Sequence, residues 1–149
     1  MSHRTPSVTL STLIASVTAV GQASRVACRV LAYRESVPSG SSGAFVALVG
    51  EQRSFQIGLL SDPLGWQSLD ALVQGDAGGL AEAHVAARLV TLTARALQAS
   101  VPEAAALTLG LPLFVDDGVA IGQDTEVRAA DIVFGQTRAL LVLLERRRR

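Results

Sequence analysis

Two pairs of apolar runs, each closed by a turn of only a few residues, constrain this chain more than any other feature. Ala44–Val49 and Ser54–Leu60 flank Gly50–Arg53, and Val127–Phe134 and Ala139–Leu144 flank Gly135–Arg138. Runs of this length around short polar turns read as β-hairpins, so their strands lie antiparallel. Ala139–Leu144 is apolar without a break, the pattern of a strand covered on both faces in mid-sheet. Arg25–Tyr33 alternates, with Val26, Cys28, Val30 and Ala32 on one face. Leu107, Leu109, Leu111, Leu113 and Val115 alternate as well and stop at the turn signal Asp116-Asp117-Gly118.

Helical periods fill the remaining chain. Leu10, Leu13, Ile14 and Val17 recur at helical spacing, with Ser and Thr on the other face. The basic start and small residues near Ala23 raise a signal peptide, but hydroxyl residues from Thr9 to Thr18 interrupt the apolar stretch, and an amphipathic first helix is expected instead. After a Ser/Gly/Pro loop at Ser36–Gly43 and the first hairpin, Ser61-Asp62-Pro63 starts a short helix with Trp66, Leu69, Leu72 and Val73 on its core stripe. Gly75–Gly79 breaks it, and a long helix runs through Gly79–Ser100. The order predicts one α+β domain over 1–149, a two-layer sandwich with a mostly antiparallel sheet of about six strands and three helices on one face. No polar linker divides the chain, and Arg146–Arg149 reads as a solvated basic tail.

Composition excludes several function classes. Acidic and basic residues balance at 13 each, so no overall field draws nucleic acid or an anionic membrane. No run approaches the ~20 apolar residues of a membrane span. Every base is Arg, which removes a catalytic Lys and a phosphate loop with its Lys. The single Cys28 forms no internal disulfide, in keeping with a reducing, cytoplasmic setting. Two His and one Cys offer no metal-ligand spacing, and neither a metal nor a cofactor is expected. No Gly-x-Ser-x-Gly elbow occurs, no strand feeds Gly75–Gly79 as a dinucleotide loop requires, and Asp116 and Asp117 are explained by their turn.

The long helix carries the candidate site. His84, Arg88, Thr91, Arg95 and Gln98 follow one another at four-, three-, four- and three-residue steps, which keeps them on one polar face. Ala81, Val85, Leu89, Leu92 and Ala96 form the face expected against the core. Arg88 and Arg95 fit either a solvated helix face or a docking surface for carboxylates.

The element order, the Gly-rich break before the long helix and the segment Leu109-Gly110-Leu111-Pro112-Leu113 together resemble the CheX/CheC chemotaxis phosphatases. That resemblance implies a long helix bearing an acidic or hydroxyl residue, a Glu four residues later and an Asn three beyond it. In the family the Glu pairs with a Lys of the phosphorylated receiver domain, and the Asn orients the attacking water. Laying Ala87-Arg88-Leu89-Val90-Thr91-Leu92 on that segment puts His84, Arg88 and Thr91 at the three positions. None matches, and the chain contains no Asn at all. An Arg repels the receiver's Lys, and Thr is too short to place the water that does most of the catalytic work. Gln98 has the carboxamide, but Arg95 stands three residues before it and no carboxylate shares its turn.

The expectation is therefore a CheX-like interaction module of bacterial signalling without phosphatase activity. Its expected partners are a receiver domain, whose phosphorylation site is a cluster of carboxylates, or a second copy joined through sheet edges as the resemblance implies. Two alternatives stay open: an active phosphatase, or a small-ligand-binding protein using the loops at Ser36–Gly43 and Gly75–Gly79.

Overall fold

The apolar run near the C-terminus forms β7 (Thr137–Arg147), bonded to β6 (Thr125–Phe134) on one side and β3 (Arg53–Ser61) on the other. In the computed structural model, which describes residues 7–23, 25–37, 42–51, 53–61, 82–115 and 125–147, this strand lies mid-sheet. Ala139, Leu141 and Leu143 join the main core, while Leu140, Val142 and Leu144 join a second cluster with Phe45, Leu60 and Ala129. Both faces are buried, which is why the sequence does not alternate there.

The other strands extend outward from this centre. β2 (Ser42–Val49) pairs β3, and β1 (Cys28–Arg34) pairs β6 at the far edge. β4 (Thr108–Leu109) and β5 (Leu113–Val115) pair opposite ends of β2. Among the described residues the result is a seven-stranded antiparallel sheet in the order β1-β6-β7-β3-β2-β4, with β5 also on β2. Two glycines permit the β2–β3 approach: a Cβ at Gly43 would strike the Leu59 carbonyl, and one at Gly58 would strike the Phe45 ring. Ser42 and Gly43 are thus strand residues, a correction to the loop expected through Gly43.

Helices α1 (Leu10–Ala23) and α2 (Glu82–Ser100) cover one face, and a one-turn helix, α3 (Pro102–Ala105), follows α2. Leu13, Val17 and Val20 bury the α1 stripe. Ser16 lies on that buried side too, because its hydroxyl donates to the Thr12 carbonyl at 2.8 Å and needs no water. The expected helix around Trp66, the break at Gly75–Gly79 and the turn at Asp116-Asp117-Gly118 lie outside the described residues.

Two further expectations need correcting. The basic run is not wholly a tail, since Arg146 and Arg147 continue β7 opposite Ser54 and Arg53. The alternating segment Leu107–Val115 is two short strands, not one. Leu48 faces Leu109, but Phe45 faces Leu113, so two residues of β2 span three from Gly110 to Pro112. One extra residue is a bulge, and it sends everything beyond it to the opposite face. Leu109 therefore packs on the main core, while Leu113 opposes Phe45 on the other face and is 69% exposed. Pro112 cannot donate to the ladder, in keeping with an interruption at an edge.

Candidate functional site

Which way α2 faces decides what the candidate residues can do. Its buried positions are Ala86, Leu89, Val90, Thr93, Ala94 and Leu97, a stripe directly opposite Arg88 and Arg95 at roughly 100° per residue. Leu92 was expected in the core but is 38% exposed, and Ala96 is half-buried. The physical reason is Thr93. This polar residue occupies the middle of the buried face because its Oγ1 donates to the Leu89 carbonyl at 2.8 Å. With Thr93 inside, the helix turns and Leu92 moves to the boundary beside Arg88. The side chains of His84 and Val85 are not described.

Three of the five expected site residues meet at a single groove. Ala87, Arg88, Thr91, Leu92 and Arg95 form its helical wall, and Pro112 the other. It is a shallow, solvent-open depression of about 370 Å³. Arg88 and Arg95 are exposed, Thr91 is half-buried, and neither guanidinium forms an ion pair among the described residues. Gln98 stands apart, because its amide donates to the carbonyls of Leu107 at 3.1 Å and Ala104 at 3.4 Å. Its carboxamide ties α2 to the turn before β4 and leaves the exposed groove to the arginines and Thr91. Leu92 and Pro112 were absent from the expected site. Pro112 carried a legible signal, a proline inside an apparent strand.

A second charged cluster, not anticipated from the sequence, lies at the β3 end of the molecule. Arg53 donates from Nε and Nη2 to both Glu145 oxygens at 2.9 Å, and from Nη1 to the Glu103 oxygens at 2.9 and 2.8 Å. Its guanidinium also lies over the Phe55 ring, 4.7 Å from the centroid. The Glu145 hydrogen bond is the leading cause that raises the Arg53 pKa further, opposed by partial burial. Glu103 additionally accepts the Val8 N–H at 2.8 Å. One guanidinium thus joins β3, β7, α3 and the chain entering α1. Each of the three guanidinium nitrogens donates to a carboxylate of this chain, which suits holding the fold and leaves little for a ligand.

Other chemistry is sparse among the described residues. No group of three His, Cys, Asp or Glu side chains could hold a metal, and no helix is long and apolar enough to cross a membrane. Cys28 is half-buried on β1, and burial is the main cause that raises its thiol pKa, with a Thr18 hydrogen bond opposing it.

Comparison with solved structures identifies the fold as that of CheX/CheC-like chemotaxis proteins. A CheC-like superfamily protein of Shewanella sp. PV-4 superposes with a TM-score of 0.73 at 10% identity, over 91% of this chain and 96% of that one. The chemotaxis protein CheX of Vibrio vulnificus gives 0.72 at 11% identity, over 91% and 97%. The CheX–CheY–BeF3–Mg2+ complex of Borrelia burgdorferi gives 0.65 at 12% identity, over 92% and 97%. No protein-family model and no curated protein matches the sequence.

Proposed function

We propose that the chain is a non-catalytic CheX-like module of bacterial cytoplasmic signalling that docks a receiver domain on the exposed face of α2. The observation that carries this reading is an open groove beside two arginines that hold no carboxylate among the described residues. The one described carboxamide of the same helix, Gln98, is committed to backbone carbonyls. A solvent-open groove suits a protein surface; a small-ligand site encloses most of its ligand. The Borrelia burgdorferi complex, in which a protein of this fold is bound to CheY, supports the choice of partner.

The absence of catalysis follows from charge and reach. Arg88 stands where the family resemblance calls for Glu, and Thr91 where it calls for Asn. Attack on an aspartyl phosphate depends on a positioned water and on compensated charge. A short hydroxyl and a repelling cation supply neither. The test is to mix the protein with phosphorylated receiver domains encoded alongside it, following phosphate release and complex formation together. Complex formation with release at the spontaneous rate is expected. Release well above that rate overturns the non-catalytic reading, and no complex with any receiver overturns the docking reading.

A further inference from the structure

We infer that the groove beside α2 recognises an acidic protein segment in which two carboxylates flank one apolar side chain. The inference rests on the docking reading of this face and adds the chemistry of what docks. Arg88 and Arg95 stand seven residues apart on one helix, about 10 Å at the α-helical rise. Arg34, Arg53 and Arg128 each hold a carboxylate of this chain, whereas the two groove arginines hold none among the described residues. Between them Leu92 is 38% exposed and lines the groove opposite Pro112. Phe114, 49% exposed, lies opposite Ala44 and so on the helix-bearing face of the edge strand.

The mixed character of the groove selects its occupant. A purely apolar occupant would cover the guanidiniums without pairing them, which is costly. A purely acidic one would pair the arginines but leave Leu92 and Pro112 against water. An occupant with both kinds of group satisfies both, since guanidinium forks donate pairwise to carboxylates. A helix with Glu, Leu and Glu at positions i, i+4 and i+7 repeats the spacing of Arg88, Leu92 and Arg95, and presents complementary groups at the same rise.

The test is a titration of the isotope-labelled full chain, followed by backbone amide resonances. The probe is an Ala-rich helical peptide of about 20 residues carrying that Glu–Leu–Glu pattern. Two controls replace both Glu by Lys, or the Leu by Ala. Saturable shifts confined to residues 87–95 and to Leu111, Leu113 and Phe114 are expected with the Glu–Leu–Glu peptide, with at least about tenfold weaker binding for either control and for Arg88→Glu/Arg95→Glu. The amide spectrum of that variant verifies its fold in the same experiment. Absence of localised shifts, or equal binding of the Lys peptide, overturns the inference. A receiver domain titrated in parallel separates the two readings. If the receiver perturbs these residues and the peptide does not, the acidic–apolar assignment falls while docking stands. If the peptide does and no receiver does, the assignment stands and the receiver reading falls.

Discussion

Arg53 and the pair Arg88–Arg95 place the same side chain in opposite circumstances. Arg53 has Nε, Nη1 and Nη2 all donating to carboxylates and a ring beneath its guanidinium. Arg88 and Arg95 have open solvent, an apolar groove and no ion pair among the described residues. Residue type is silent about this difference, because a guanidinium is suited both to bracing a fold and to gripping a partner. What separates the roles is whether the chain itself supplies the acceptors. A satisfied arginine has little to offer another molecule, whereas an unsatisfied one beside exposed apolar surface can still gain from being covered.

The sharpest way to break this comparison begins on α2 itself. Leu89 is 2% exposed and Leu92 38%. Leu89→Ala should cost about 2–5 kcal/mol by urea unfolding, and Leu92→Ala less than about 1 kcal/mol. Equal costs would mean that the helix is turned differently and that the groove is misassigned. Next in size, Arg53→Ala should lose roughly 1.5–3 kcal/mol, a figure reduced from that of a buried pair because the cluster is partly open to solvent. Arg53→Lys should recover only part of it, since one ammonium cannot reproduce the bidentate Glu145 pair while also holding Glu103. By contrast, Arg88→Ala and Arg95→Ala should each change stability by no more than about 0.5 kcal/mol. A large loss for either would show that its guanidinium is structural after all.

The smallest expected effect concerns Cys28. Burial raises its thiol pKa, so at neutral pH the reactive thiolate is a smaller fraction than in a free cysteine. Alkylation of the folded protein should run slower than that of an unfolded control and accelerate as pH rises. Equal rates in the two states would show the thiol to be open.

The parts of the fold legible in the sequence are those where one local pattern had one meaning. The hairpins β2–β3 and β6–β7 were visible because apolar runs met short turns, and the central place of β7 because Ala139–Leu144 lacks any polar interruption. The rotation of α2 was not visible, because Thr93 looks polar in a string of letters and becomes neutral only by bonding its own helix. The even spacing from Leu107 to Val115 misled for a related reason. Alternation predicts one face only if the register never slips, and here a one-residue bulge moves Leu113 across the sheet. In the candidate site, Arg88, Thr91 and Arg95 were legible from helical spacing alone. Leu92 and the engagement of Gln98 were not, since the first depends on how α2 is turned and the second on where Ala104 and Leu107 lie. Pro112 was marked as an interruption of the apparent strand, but not as a wall of the groove. The Arg53 cluster joins residues 50 and 92 positions apart, a distance over which no periodicity in the chain carries information.

The most direct test of the docking claim is calorimetric titration of a receiver domain against wild type, Arg88→Ala and Arg88→Glu, at low and at physiological salt. Removing one exposed cation should weaken binding modestly, by ~0.2–1 kcal/mol, whereas reversing its charge against carboxylates should weaken it by several kcal/mol. The wild-type affinity should fall as salt rises, because exposed charges are screened over ~8–10 Å at physiological ionic strength. Graded loss from wild type through alanine to glutamate, with that salt dependence, is the predicted result; equal affinities for all three proteins would contradict it and move the function away from this face.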